Sequence, residues 1–307
     1  MDYKRANRAY LYMILSTLAL IILLTAWVFS TGSEFSILAN NVLSELVILI
    51  PAIATILYCG DRLRVVIPFK RIKISSALLT VLYVVMLFPL VTFINSVSML
   101  FVDNTVVGLS DQILGMPMWQ MFLSIGIFGP FVEEVVFRGF FLQSYQRTGR
   151  IIASMILSSI LFGLMHMNFN QFAYGAVMGL MLALLVEATG SVLTSFIAHA
   201  TFNSIEVILM YATSDLIDSA ENMLTELEET NQILLTIGIY FVAAVIFTTL
   251  AFCIVVKISD IERRKEFFAG IPKCPKQGYK LITVPLIVAI VIAVTYMIGI
   301  EYLNSLI

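Results

Sequence analysis

Hydrophobic residues occur along the chain in nine long runs that are separated by short polar segments. A helix that crosses the hydrocarbon core of a bilayer needs about 20 mainly apolar residues. The pattern therefore predicts an all-α polytopic membrane protein with about eight or nine transmembrane helices, in which the short fifth and sixth runs are the least clearly defined. The first run is longer than the apolar core of a signal peptide and is predicted to be a retained span. The runs lie near 9–30, 37–59, 75–101, 118–142, 151–168, 171–187, 191–213, 232–256 and 281–300.

The overall composition supports the membrane as the solvent for this chain. Of its 307 residues, 60% are hydrophobic and only 12% are charged, whereas a soluble domain carries about 25% charged residues. The net charge of -2 gives no reason to expect a nucleic-acid partner. The lipid bilayer is the partner that the composition predicts.

The basic residues are confined to alternate loops. If the N-terminus lies inside, seventeen of the eighteen Lys and Arg residues fall on that side, whereas the opposite loops carry acidic residues such as Glu34, Asp103, Asp111 and the run 215–229. This arrangement is the positive-inside pattern of membrane proteins. It predicts an integral, multi-pass protein with a cytoplasmic N-terminus.

The eighteenth basic residue, Arg138, lies inside the fourth apolar run together with Glu133 and Glu134. Ionisable residues in a span usually face the interior of the bundle and have a partner. Residues four apart share a helix face, so Glu134 and Arg138 are predicted to pair. Glu133 lies about 100° from Glu134 around the helix axis, so its carboxylate is not expected to pair with Arg138 and can accept hydrogen bonds from other groups.

The chain has only two histidines, and both lie in predicted spans. His166 ends the sequence FGLMH, and His199 begins HATFN, which places Asn203 on the same helix face as His199. At 1.5 Å per residue, Glu133, His166 and His199 lie roughly 20, 24 and 14 Å from the inner loops. These depths allow the three side chains to converge near the middle of the membrane.

This set of residues can hydrolyse an amide without a covalent intermediate. Glu133 and His166 could hold and deprotonate a water molecule, while His199 and Asn203 could donate hydrogen bonds to the developing oxyanion. The chain contains no HExxH zinc motif, no GxSxG serine motif and no intramembrane Asp pair. A catalytic zinc ion held by the two histidines and one or two glutamates stays open as an alternative.

The sequences EEVVFR (133–138), FGLMH (162–166) and HATFN (199–203) resemble the three signature motifs EExxxR, FxxxH and HxxxN of the CPBP family, the CAAX proteases and bacteriocin-processing enzymes. The resemblance covers roughly 117–211. It implies an intramembrane endopeptidase of the bacterial cell membrane, without a cofactor, that acts on a membrane-associated peptide or protein. By the same resemblance, Glu133 and His166 activate water, His199 and Asn203 form the oxyanion hole, and Glu134 and Arg138 support them.

The resemblance divides the chain into three parts. Residues 1–116 would form about three N-terminal transmembrane helices, residues 117–213 a catalytic core of four helices, and residues 214–307 an acidic outer loop followed by the C-terminal transmembrane helices. Phe162 of the second motif is expected to be a packing residue. No substrate-binding residue can be identified from the sequence.

Two other functions use similar residues. A non-catalytic membrane scaffold, such as a bacteriocin-immunity or regulatory protein, could keep the same fold, and a proton-coupled transporter also needs buried Glu, His and Arg. Three further glutamates are placed outside the site. Glu45 is expected near the outer interface, Glu187 at a solvated inner helix end, and Glu206 at a helix end or between helices.

Overall fold

The computed structural model describes residues 2–33, 35–104, 107–221, 226–273 and 280–306. This part of the chain is 84% helical and contains no β-strand, which confirms the predicted all-α architecture. The nine predicted runs all form helices. They are α1 (Tyr3–Thr31), α2 (Ile37–Tyr58), α3 (Ile74–Ser98), α4 (118–146), α5 (Ile151–Met165), α6 (Phe169–Thr189), α7 (Val192–Glu221), α8 (Glu226–Ile261) and α9 (Val284–Asn304).

Within the described residues, seven helices are long and apolar enough to cross a membrane, namely α1, α2, α3, α6, α7, α8 and α9. The protein is therefore an integral, multi-pass membrane protein. The helix α5 has 15 residues, about 22 Å at 1.5 Å per residue, which is shorter than the hydrocarbon core. The helix α4 is continuous over 118–146 but is divided by two π-helical segments, so none of its parts alone is long enough. With α4 and α5 included, the helices of the described residues agree with the predicted eight or nine spans.

Short helical segments connect the long helices. They are Leu63–Val66, Val107–Leu109, Ser110–Leu114, Lys265–Gly270 and Ile271–Lys273. Glu34, Lys276 and the side chains of the acidic run 215–229 lie outside the described residues, so the predicted location of these charges stays a prediction.

The loops predicted to lie on the inner side meet at one end of the bundle. At the start of α1, Asn7 Nδ2 donates to the carbonyl of Leu281, just before α9, over 2.8 Å. The amide of Lys73, which precedes α3, donates to Glu262 Oε1 just after α8 over 2.9 Å. Helix ends that carry many of the basic residues are therefore neighbours. The side of the membrane that they face stays a prediction.

The buried apolar residues form two main clusters that lie on either side of the predicted site. The first combines α1, α2, α4, α5 and α9 and includes the stacked ring pair Phe141 and Tyr145. The second combines α3, α6, α7 and α8. Since the signature residues come from α4, α5 and α7, the site lies where the two clusters meet.

Glycines allow α5 and α6 to pack closely. A Cβ at Gly163 would lie 2.7 Å from the carbonyl oxygen of Phe172 and 3.0 Å from the amide nitrogen of Ala176. A Cβ at Gly179 would lie 3.1 Å from Ser159. Small residues at helix crossings are typical of membrane bundles. This close crossing fixes the end of α5, where His166 follows.

The helix α4 is wound unevenly. Two π-helical segments, Phe122–Phe128 and Val135–Phe141, flank the α-helical stretch Gly129–Glu134. Such segments are rare and occur frequently at functional sites. Here the carbonyl of Ile125, in the first π segment, accepts a side-chain hydrogen bond from Asn203 on α7 over 3.2 Å.

The predicted solvated position of Glu187 is wrong. This side chain, in the last turn of α6, is buried and accepts a hydrogen bond from Gln146 Nε2 of α4. The Arg264 side chain donates from Nε to the Glu187 backbone carbonyl over 3.1 Å. Because Arg264 and Gln146 cover this helix end, the carboxylate is shielded from water.

Candidate active site

His199 is the centre of the candidate site. Its Nε2 lies 3.4 Å from Glu133 Oε2, and its Nδ1 lies 3.0 Å from Glu134 Oε1. The histidine is 5% exposed, so both ring nitrogens find their polar neighbours inside the protein. Residues that are more than 60 positions apart in the sequence therefore meet in one contact.

Glu134 and Arg138 form an ion pair one helix turn apart. Arg138 Nη1 lies 2.7 Å from Glu134 Oε1, and both side chains are essentially inaccessible to solvent. Among the described residues, Glu134 Oε2 and Arg138 Nη2 have no hydrogen-bond partner. The pair thus places a fixed carboxylate against His199 and has further hydrogen-bonding capacity.

Phe162 holds the aromatic part of the site together. Its ring lies 5.1 Å from the ring of His166 and 5.7 Å from that of His199, in both cases edge to face. The guanidinium carbon of Arg138 lies 4.4 Å from its centroid. Phe162 is almost completely buried, as expected of a packing residue that separates the two histidines.

His166 is positioned by the turn between α5 and α6. It caps the end of α5, and its carbonyl accepts a hydrogen bond from Asn168 Nδ2 over 2.9 Å. Met167 adopts a left-handed conformation with φ 57°, which is uncommon for a residue with a side chain. A Cβ at Gly175 on α6 would lie 3.3 Å from His166 Cδ2, so the glycine leaves room for the imidazole.

No hydrogen bond found within the described residues joins the His166 ring to Glu133. Both side chains are partly accessible, and they come from different helices. A water molecule or a substrate group would therefore have to bridge them.

Asn203 lies one turn beyond His199 on α7. Its Nδ2 donates one hydrogen to the carbonyl of Ile125 over 3.2 Å. A carboxamide nitrogen carries two hydrogens, so the second can donate to another group. The contact with the π segment of α4 fixes the direction of this second N–H.

Glu45 is a residue of this region that sequence reasoning left outside the site. The structure buries it to 8% exposure, and its expected depth near the outer interface stays a prediction. Its Oε1 would lie 3.2 Å from a Cβ at Gly129 of α4, and it interacts electrostatically with Glu133. Glu45 is the only acidic residue of α2 and has Asn41 one turn before it, and this was the signal that could have revealed it.

The six predicted site residues converge on this region despite the spread in their predicted depths. Their helices come from both apolar clusters. Among the described residues, no group of three or more His, Cys, Asp or Glu side chains has the arrangement of a metal site. The six residues are Glu133, Glu134, Arg138, His166, His199 and Asn203.

The sequence of this region is similar to known proteins. Residues 115–205 match the family model described as Type II CAAX prenyl endopeptidase Rce1-like. The predicted resemblance is confirmed. The matched segment contains all three signature motifs and extends from just before α4 into α7.

A curated relative points in the same direction. The Bacillus subtilis (strain 168) protein named "Putative membrane peptidase YdiL" is 30% identical to this chain over 100 residues, which are 32% of this chain and 40% of that protein. No solved structure matches the chain. Residues 115–205 are therefore similar to CAAX-type membrane proteases, and the family match does not extend to the helices outside this segment.

Proposed function

We propose that the protein is an intramembrane endopeptidase that hydrolyses a peptide bond of a membrane-associated peptide or protein. The observation that carries this proposal is the position of His199, held between Glu133 and Glu134 with Arg138 behind them. Ionisable groups inside a membrane bundle are costly and mark functional sites. The family match over the same segment supports a peptidase as the function.

In the proposed reaction, a water molecule lies between Glu133 and His166. Glu133 accepts a proton from this water as its oxygen attacks the carbonyl carbon of the scissile bond, which gives a tetrahedral oxyanion. Collapse of this intermediate breaks the C–N bond, and the proton held by Glu133 passes to the leaving amine. Both carboxylate and imidazole return to their starting states.

The oxyanion is stabilised by His199 and Asn203 in this proposal. His199 Nδ1–H donates to Glu134, whose charge is fixed by Arg138. For Nε2 to donate to the oxyanion as well, both ring nitrogens must carry protons, which makes the ring an imidazolium. With His199 in this form, the two glutamates, Arg138 and His199 sum to zero charge. A neutral cluster of this kind is less costly to bury than an unbalanced one.

The substrate class follows from the location of the site. The signature residues lie between helices of a membrane bundle, so the scissile bond must enter the bundle from the lipid phase or from a membrane interface. The proposed substrates are membrane-associated peptides, among which prenylated C-termini, pheromone precursors and bacteriocin-like peptides have suitable chemistry. The proposed reaction uses no cofactor.

Cleavage of a quenched-fluorescent library of membrane peptides by the purified protein tests the proposal. The Glu133→Gln variant should lose roughly 10²–10⁴-fold in kcat, because it removes the general base and keeps the shape of the side chain. Glu301→Gln on α9, outside the site, is the matched control and should behave as wild type. Equal activity of the Glu133→Gln variant and wild type would refute the site, and cleavage by neither protein would favour the scaffold.

A chelator separates the water mechanism from its zinc alternative. Activity that resists a strong chelator supports direct activation of water by Glu133 and His166. Activity that is abolished by chelation and restored by Zn²⁺ would instead assign the same residues to metal binding.

The oxyanion hole has its own test. The Asn203→Ala variant should lose about 10²–10³-fold in kcat with little change in KM, because the lost hydrogen bond forms mainly in the transition state. Ser204→Ala, the next position on α7, is the control for packing against α4. A rise in KM alone would show that Asn203 binds the substrate and does not stabilise the oxyanion.

A further inference from the structure

A polar seam runs along the contact between α2 and α4. Asn41 Nδ2 of α2 donates to Ser124 Oγ of α4 over 2.7 Å. One turn later on α2, Glu45 lies against Gly129. The seam therefore leads from the first π segment of α4 towards the turn that precedes Glu133.

The missing side chain of Gly129 makes room for the Glu45 carboxyl group. Side chains of an α-helix lean towards its N-terminus, so a residue covers the turn four positions before it. The side chain of Glu133 accordingly leans towards the turn that contains Gly129. Since Glu45 Oε1 would lie 3.2 Å from a Cβ at Gly129, the two carboxyl groups occupy the same side of α4.

Glu45 has no compensating charge in the described part of the chain. It is 8% exposed, and its Oε2 has no hydrogen-bond partner there. The charged group with which it interacts is Glu133, on α4. Glu133 in turn interacts with His199 of α7 and with Glu134 and Arg138 of its own helix. Two adjacent carboxyl groups in a site of low dielectric constant cannot both be ionised. They therefore share one proton.

We propose that Glu45 is a positioning residue of the active site, whose protonated carboxyl group hydrogen-bonds to Glu133 and holds that carboxylate towards His199. The proposal rests on the proposed peptidase function, in which Glu133 is the base. Glu45 supplies the donor that α4 itself does not provide at this position. One oxygen of Glu133 then faces His199, and the other receives the hydrogen bond from Glu45.

Two substitutions at Glu45 separate hydrogen bonding from packing. Glu45→Leu keeps the approximate volume and removes the donor, so kcat should fall roughly 10-fold to 100-fold with KM nearly unchanged. Glu45→Gln retains an N–H donor and should rescue most of that loss. Asn41→Leu removes a hydrogen bond from the same seam without touching Glu133. It controls for loss of helix packing, which thermal unfolding of all three variants measures.

The pH profile distinguishes positioning through Glu133 from a purely structural role. In Glu45→Gln the amide has no proton to share and is a weaker donor than the carboxylic acid, so it stabilises ionised Glu133 less than Glu45 does. The acid limb of the kcat/KM profile should therefore move to higher pH, while in Asn41→Leu it should stay where it is in wild type. An unchanged acid limb in Glu45→Gln, or equal kcat in Glu45→Leu and wild type, would overturn the proposal.

Infrared difference spectroscopy tests the shared proton without any substrate. Wild type should show the band of a protonated carboxylic acid at neutral pH, and Glu45→Gln and Glu133→Gln should each lose it at a lower pH than wild type does. If the band behaves so but no peptide is cleaved, the proposed peptidase function fails while the shared proton stands. A band that is identical in wild type and Glu45→Gln would refute the shared proton even in an active enzyme.

Discussion

The interior helices of the bundle are less hydrophobic than the peripheral ones, which is the reverse of the arrangement in a soluble protein. In α6 and α7, 56% and 50% of the most apolar stretch is buried within the protein, against 11% in α1 and 17% in α8. Yet α6 and α7 are the least hydrophobic of the seven long helices. Lipid is as apolar as a leucine side chain, so apolarity alone does not draw helices together in a membrane. Small and polar residues decide which helices lie inside.

The ion pair of α4 should give the largest difference between interior and periphery. Arg138→Met leaves Glu134 buried without its partner, which should lower the free energy of unfolding by about 3–5 kcal/mol. Thermal unfolding in detergent measures this effect. The double variant Glu134→Gln with Arg138→Met, which buries no charge from the pair, should recover most of the stability. If the single variant unfolds like wild type, the pair does not hold the interior together.

The helix crossing between α5 and α6 should give an intermediate effect. Gly163→Ala brings a methyl group to 2.7 Å from the carbonyl oxygen of Phe172, and overpacking of this kind costs about 1–3 kcal/mol. Gly238→Ala on α8 is the matched control, because a Cβ there meets nothing within 4 Å. It should stabilise the helix by roughly 0.4–1 kcal/mol. Two destabilised variants would contradict the distinction between the two regions.

Lipid-facing side chains of the periphery should give the smallest effect. Ile246 on α8 is 53% exposed in the isolated chain, and Ile246→Leu should change the free energy of unfolding by less than about 0.5 kcal/mol. The same change at the buried Ile56 of α2 would have to repack a filled interior. Equal effects at Ile246 and Ile56 would show that α8 is covered by protein at this position.

The elements that local patterns determine could be predicted from the sequence. All nine apolar runs became helices, because length and composition alone decide whether a segment is helical in lipid. The pairing of Glu134 with Arg138 follows from helix geometry, since both residues are on one helix one turn apart. Phe162 was assigned to packing for its residue type, and its burial between the histidines agrees with this.

The contacts between distant segments could not be predicted in the same way. Glu45 meets Gly129, which lies 84 positions later. Glu187 is covered by Gln146 of α4 and by Arg264 of the connection after α8. Counting residues from a loop gives an approximate depth but not the direction in which a side chain points. The two π segments of α4 also have no signature in a pattern of apolar residues. The catalytic roles assigned to the six residues stay predictions until activity is measured.

The π segment before Glu133 makes the alignment of α4 dependent on the number of its residues. Deleting one residue within 126–128, at the end of this segment, would restore α-helical winding without breaking the helix. Everything before the deletion would then turn by about 100° and shift by about 1.5 Å relative to Glu133. Ser124 would lose Asn41, and Ile125 would lose Asn203, while Glu134 would keep Arg138. The loss of a single codon would therefore break the contacts of α4 with α2 and α7 and leave its internal ion pair intact.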